Sequence, residues 1–153
     1  MKLHLIVIGK KKSEYDFMLA EYQKRIVSPF SLSVEIIEPL GIDNPTQCRK
    51  KESEKLATKL QTGDYIITLD ESGKDFTTVS FSHHIEKQIH MGIKRMVFII
   101  GGAYGIDKQM QSRAHLILQL GSFTLPHELA RLVLVEQLYR VTNLLGGGKY
   151  HHI

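Results

Sequence analysis

The chain opens with an apolar run, Leu3-His4-Leu5-Ile6-Val7-Ile8, rich in β-branched residues and stopped by Gly9. Such a run reads as a buried strand. Lys10, Lys11 and Lys12 mark a solvated turn. Tyr15, Met18, Leu19, Tyr22 and Ile26 then recur at helical spacing, which predicts a one-faced amphipathic helix, started by Ser13 and Asp16 in a Ser-x-x-Asp cap and ending before Pro29. From Leu32 to Glu38, Leu32, Val34 and Ile36 alternate with Ser31, Ser33 and Glu35, the pattern of a strand near a sheet edge. Asn44 and Pro45 suit the cap and first turn of a second helix, whose outer face carries Arg49, Lys50, Lys51, Lys55 and Lys59 before Gly63-Asp64 ends it. Tyr65 to Asp70 is a third strand with a continuous apolar run, followed by a loop, Glu71 to Lys74. Val79 to Met91 reads as a helix, Met96 to Ile100 as a strand, Asp107 to about Arg113 as a short helix and His115 to Leu120 as a fifth strand.

Alternating strands and helices predict an α/β fold with a mostly parallel sheet flanked by helices. The closing helix, Pro126 to about Asn143, carries Leu129, Ala130, Leu132, Val133, Leu134, Val135, Leu138, Tyr139 and Val141. These positions spread beyond one stripe, and a terminal helix of this kind finds its second cover in a partner subunit, so a homodimer is expected.

At 153 residues and 42% hydrophobic content the chain suits one domain, 1–153. Twenty Lys plus Arg against 16 Asp plus Glu give a formal charge of +4, which permits a polyanionic partner without requiring one. The single Cys48 excludes an intrachain disulfide framework and a multi-cysteine zinc site and fits a reducing compartment. The first strand is too short to span a membrane and lacks a cleavage pattern. The expectation is a cytoplasmic protein without a membrane partner.

Two strand ends release glycine-bearing loops: Gly101-Gly102-Ala103-Tyr104-Gly105 and Gly121-Ser122-Phe123-Thr124-Leu125-Pro126. Ligands of open α/β sheets sit at such carboxyl ends, so the two loops define a candidate small-molecule pocket. The first lacks both the Gly-x-Gly-x-x-Gly spacing and a Gly-Lys-Ser/Thr ending, which disfavours nucleotide phosphate; a tight turn and a ligand loop stay equally open. Backbone groups from Leu120 to Phe123 suit the edge of a flat heterocycle such as adenine. His127 reads first as a cap or surface histidine. Glu128 with Arg131 and Glu136 with Arg140 are spaced for surface ion pairs, while either arginine could also fork onto phosphate. His83, His84 and His90 make no metal-binding spacing, so no metal is expected. Behind Gly146-Gly147-Gly148, the tail Lys149-Tyr150-His151-His152-Ile153 reads either as an ordinary disordered terminus or as a segment that folds over substrate.

Several of these stretches together resemble the RlmH family of small SPOUT-class methyltransferases. They are the Met1-Lys2-Leu3 strand ending at Gly9, Glu21-Tyr22-x-Lys24-Arg25, Thr68-Leu69-Asp70 with Ser72-Gly73-Lys74, Ile100 to Gly105, Thr124-Leu125-Pro126-His127, Arg131 with Glu136-Gln137-Leu138-Tyr139-Arg140, and Tyr150-His151. The resemblance covers essentially the whole chain, with the motifs in order. It implies an α/β fold with a C-terminal trefoil knot working as a homodimer. It also implies S-adenosylmethionine-dependent methylation of N3 of a pseudouridine in helix 69 of 23S rRNA on the assembled bacterial ribosome. Carried over by position, Leu69, Gly102, Gly121, Ser122, Phe123, Thr124, Leu125 and Pro126 would bind the cofactor. His151 would assist loss of the imide proton, and Tyr150 would stack on or position the base. Arg131, Arg140, Lys149 and His152 would meet RNA phosphate.

The tail departs from the family pattern. Members usually finish Pro-Tyr-His followed by Arg or Lys, whereas here Lys149 stands for the proline and His152 for the final basic residue. Two rival expectations follow: a non-catalytic ribosome- or RNA-binding protein of the same fold, and a SPOUT enzyme with another RNA target.

Overall fold

A computed structural model describes residues 1–148 and 150. Lys149, His151 and His152, to which the sequence assigns roles, lie outside the described residues. The elements are β1 (Lys2–Ile8), α1 (Asp16–Arg25), β2 (Ser31–Ile37), α2 (Pro45–Ala57), β3 (Tyr65–Lys74), α3 (Thr78–His90), β4 (Arg95–Ile100), α4 (Lys108–Gln111), β5 (Leu116–Leu118) and α5 (His127–Leu145). The strands form one sheet in the order β2-β1-β4-β3-β5, with every pair parallel. The parallel helix-flanked sheet expected from the sequence is present, with β2 at an edge.

Alternation along the three central strands feeds both faces of the sheet. Leu3, Leu5, Val7, Ile67, Met96, Phe98 and Ile100 point into one apolar layer with Leu19 of α1, Phe81 and Ile85 of α3, and Leu134, Val135, Leu138 and Val141 of α5. Ile6, Ile8, Ile66, Val97 and Ile99 point into the opposite layer, closed by Leu56 of α2 and Met110 of α4. Each such fully buried side chain contributes roughly 1.5–3 kcal/mol of transfer free energy.

Local departures from the sequence reading have physical causes. Helix α1 starts at Asp16 rather than at a Ser13 cap. Ser13 instead accepts the Tyr15 N–H at 3.1 Å, and Asp16 Oδ2 accepts the Ser13 N–H at 3.0 Å, so both side chains are used in the turn before the helix. Asn44 does cap α2, accepting the Gln47 N–H at 2.9 Å. The stretch Glu71 to Lys74 is a bulged continuation of β3 and not a free loop: Leu69 and Lys74 both lie opposite Leu118. β5 ends early, at Leu118; beyond it the Gln119 N–H still donates to the Lys74 carbonyl at 3.0 Å.

Two half-buried histidines make this fold sensitive to acid. His4 on β1 is held below the ordinary imidazole value of 6.5 by burial and then by the Arg95 charge. His84 on α3 is held below it by burial and then by Lys74 and Lys87; it shares a 3.1 Å hydrogen bond with the Tyr65 hydroxyl. The native state therefore binds fewer protons than the unfolded chain. This stabilisation is present above pH 6.5 and is lost as pH falls below it. Urea midpoints are expected to be lower at about pH 5.5 than at about pH 7.5, and His84→Gln is expected to narrow the gap. Equal midpoints for the wild-type chain would remove the histidines from the account.

Candidate active site

The carboxyl ends of β4, β3 and β5 open into a cavity of about 290 Å³. Leu69 and the bulge residues Asp70 and Glu71 wall it from β3, Ile100 to Ala103 with Gly105 from the loop after β4, and Leu118 to Gly121 with Phe123, Thr124 and Leu125 from the loop after β5. His127 and Ala130 close it from the first turn of α5. The volume lies near the lower end of the range for small-molecule sites.

The loop after β4 is shaped by what stands behind it. A Cβ at Gly101 would come within 2.7 Å of Ile106 and 2.8 Å of the Gly105 backbone. A Cβ at Gly102 would strike the Glu52 carboxylate. Glu52 is buried in α2, accepts the Leu40 N–H at 3.1 Å through Oε1, and has no hydrogen-bond partner for Oε2 among the described residues. The Gly105 N–H closes the turn on the Gly102 carbonyl at 2.8 Å. These glycines form a tight turn, one of the two readings that the sequence left open, and that turn also walls the cavity.

The loop after β5 lies open over the other side. Gln119 Nε2 donates to the Gly121 carbonyl at 2.9 Å, and Thr124 Oγ1 donates to Glu71 Oε2 at 3.3 Å, tying the loop to the β3 bulge. The backbone N–H groups from Gly121 to Leu125 make no hydrogen bond with described residues. They are available to the edge of a heterocycle. The charged side chains lining the cavity are Asp70 and Glu71, with no Lys or Arg among the described residues. That charge suits a cationic ligand and opposes a phosphate.

Of the residues expected at a cofactor, Leu69, Gly102, Gly121, Phe123, Thr124 and Leu125 come together here. Ser122 and Pro126 belong to the same loop but do not line the cavity; Pro126 precedes α5, and its carbonyl accepts the Ala130 N–H at 2.8 Å. Arg131 departs most from expectation. It neither pairs with Glu128 nor faces solvent, and phosphate cannot reach it in this chain: its side chain is 2% exposed and bonds Asp16 of α1 at 3.0 Å. Arg140 does pair with Glu136 and lies over the Tyr150 ring, 4.9 Å from its centroid. Tyr150 packs on Tyr139 with centroids 4.6 Å apart, and its N–H donates to Asn143 Oδ1 at 2.9 Å. The Tyr150 phenol is held above its ordinary value, chiefly by hydrogen bonding with Tyr22. Arg140 and Tyr150 are thus absent from the cavity wall of their own chain.

Sequence reasoning missed Asp70, Glu71, Gln119 and Glu52. The first three adjoin the strand ends already singled out. Glu52 shares the buried face of α2 with Cys48 and Leu56 at four-residue spacing, a signal that was present but hidden by the basic residues around it.

A pocket at the carboxyl ends of adjacent parallel strands is where α/β proteins of the ligand-binding kind hold small molecules, and its two carboxylates suit a cationic one. The model of the predicted SPOUT methyltransferase family matches residues 1–151, and the chain belongs to that family. It is 38% identical to the ribosomal RNA large subunit methyltransferase H of Parabacteroides distasonis, with 99% of each chain covered. It is 36% identical to the protein so named from Natranaerobius thermophilus, covering 99% of this chain and all of the relative. Among solved structures it is similar to the SpoU methyltransferase AviRb of Streptomyces viridochromogenes in complex with AdoMet, at 10% identity and a TM-score of 0.49, covering 96% of this chain and 58% of that one. The cofactor of the family is S-adenosylmethionine. The open amide edge, the glycine wall and the two carboxylates fit its adenine, its chain and its positive charge.

Gly102→Ala is expected to weaken S-adenosylmethionine binding about tenfold or more, because the new methyl and the Glu52 carboxylate cannot share the space. Calorimetric titration checks it, with a thermal melt of the variant to separate lost binding from lost folding. Unchanged affinity would place the cofactor elsewhere.

Proposed function

We propose that this chain transfers the methyl group of S-adenosylmethionine to N3 of a pseudouridine in helix 69 of 23S rRNA, on the assembled bacterial ribosome, as a cytoplasmic homodimer. The observation that carries this reading is a match over nearly the full length of relatives named for rRNA large-subunit methylation. Six of the eight residues to which the family resemblance carries the cofactor line one pocket, which supports the reading. Family membership also supports a single domain over 1–153 with a C-terminal trefoil knot. No helix among the described residues is long and apolar enough to cross a membrane.

The backbone of Gly121, Phe123, Thr124 and Leu125 reads the adenine edge, Leu69 covers the ring, and Gly102 gives room to the ribose and methionine portion. Ser122 and Pro126 set the path of that loop. The bound sulfonium supplies an electrophilic methyl. What remains for the protein is to hold the target nitrogen in line, exclude water and assist departure of the N3 proton. His151 is assigned that proton and Tyr150 the positioning of the base, with Arg140, Lys149 and His152 at phosphate.

Tyr150 folds back against Tyr139 and Asn143 of its own helix. Asn143 is roughly 20 Å along α5 from the Ala130 end that closes the cavity. A tail anchored there serves the cavity of a second copy more readily than its own. Within one chain α5 buries a single stripe, Arg131, Leu134, Val135, Leu138, Val141 and Thr142, and leaves Leu129, Leu132 and Val133 partly covered. A second copy would complete their burial.

The test is transfer from labelled S-adenosylmethionine to unmethylated bacterial ribosomes. The full chain is expected to label a helix 69 pseudouridine, and truncation after Gly148 to abolish the label. His151→Ala is expected to lower turnover by tenfold or more, with cofactor affinity nearly unchanged. Undiminished turnover in that variant would sink the assignment of His151. Label at another RNA position would support a different target, and cofactor binding without transfer would support a non-catalytic RNA-binding protein.

A further inference from the structure

Beside the cofactor cavity lies a second depression, of about 460 Å³, between α2 and the segment from Tyr104 to Gln111. The two share Asp70 and Gly105 as a common wall. Their electrostatic character is opposite. Arg49 and Lys50 enter the groove from α2 and Lys108 from α4, and none of the three forms an ion pair with a described residue.

The two carboxylates in the groove are already engaged. Asp70 Oδ1 accepts from the Ser72 N–H at 2.9 Å and the Ser72 hydroxyl at 2.6 Å, and its Oδ2 accepts from Gln111 Nε2 at 3.1 Å. Asp107 Oδ1 accepts the Met110 N–H at 2.7 Å. These neutral donors hold the two acids in place without removing their charge, so the groove keeps a net excess of cations, three against two, and none of the three is paired with a described residue. Tyr104 stands at the rim, on the glycine loop between the two cavities, 42% exposed and without an aromatic neighbour among the described residues.

We propose that this groove binds the sugar–phosphate backbone of the RNA substrate next to the nucleotide that receives the methyl, with Tyr104 stacked on a neighbouring unpaired base. The inference rests on the rRNA reading above and adds where the strand lies. Three unpartnered cations beside an exposed aromatic ring are the combination that tracks single-stranded RNA. The adjoining cavity, lined by Asp70 and Glu71, repels phosphate while accepting a cationic cofactor. The charge pattern therefore sorts the two ligands into adjacent sites that meet at Asp70 and Gly105. An acidic protein surface would satisfy the cations but gives no role to the exposed ring.

The experiment uses the full chain, unmethylated 70S ribosomes and a salt series. The variants are Arg49→Gln/Lys50→Gln/Lys108→Gln combined, Tyr104→Ala, Tyr104→Phe and a control, Lys94→Gln, which lies before β4 at the opposite end of the sheet. The triple variant is expected to bind ribosomes about tenfold more weakly at low salt. The slope of log affinity against log salt should fall by about 2, since each single-strand phosphate contact contributes roughly 0.7. Its S-adenosylmethionine affinity should stay within about twofold of wild type, as should ribosome binding by the control. Tyr104→Ala should lower kcat/KM for ribosomes about five- to tenfold, and Tyr104→Phe should restore it, because stacking needs the ring and not the hydroxyl.

If wild type transfers methyl but the triple variant keeps the full salt slope, the groove is not the RNA site and the proposed activity stands. If wild type transfers nothing to ribosomes, yet binds them with a slope that the triple variant reduces, the groove stands and the activity falls. Ultraviolet cross-links from Tyr104 to ribosomal protein instead of rRNA, or no ribosome binding by wild type, would overturn the groove.

Discussion

Burial of the central strands on both faces is the constraint from which the remaining features follow. β1, β4 and the first half of β3 are sealed between two apolar layers. Beyond Lys2 and His4 near the start of β1 and Arg95 at the start of β4, their side chains are withdrawn from solvent. Polar function is confined to where the strands end. β4 and β5 end at Ile100 and Leu118, beside Leu69 where the ladder of β3 is interrupted, and the bulge that follows turns Asp70 and Glu71 over that junction. The site is a consequence of where the sheet stops.

The region around that junction is divided by charge over a short distance. Carboxylates line one cavity and cations its neighbour, with Asp70 common to both. A cationic cofactor and a polyanionic substrate place contradictory demands on one surface, and separating them across a shared wall lets each be met. The compensation is local: the groove acids are held by backbone and amide donors of the turns in which they sit.

Buried polar groups hold the helices to this frame. Arg131 of α5 reaches Asp16 of α1 at 3.0 Å across 115 residues of sequence, with its Nε unpartnered among the described residues. A buried guanidinium left without its carboxylate is costly, so the contact ties α1 to α5, although the Asp16 end is 45% exposed and screened by water. Glu52 acts similarly from α2, gripping the Leu40 N–H and backing Gly102. Both are charged residues at positions whose surroundings are mostly apolar.

The sequence by itself determined the parallel helix-flanked sheet, the order of its elements and the two loops at the strand ends, because periodicity and glycine placement are local signals. The family resemblance added Leu69, Gly102, Gly121, Phe123, Thr124 and Leu125, which line one cavity. Tertiary structure alone decided which charges are buried and which are offered. Arg131 and Arg140 sit on the same helix at comparable spacing from a glutamate, yet one is enclosed against α1 while the other pairs with Glu136 beneath Tyr150. Likewise Glu71 to Lys74 has the composition of a turn and becomes strand only because β5 lies alongside to bond it. Burial and pairing depend on partners remote in the chain, and a linear pattern carries no record of them.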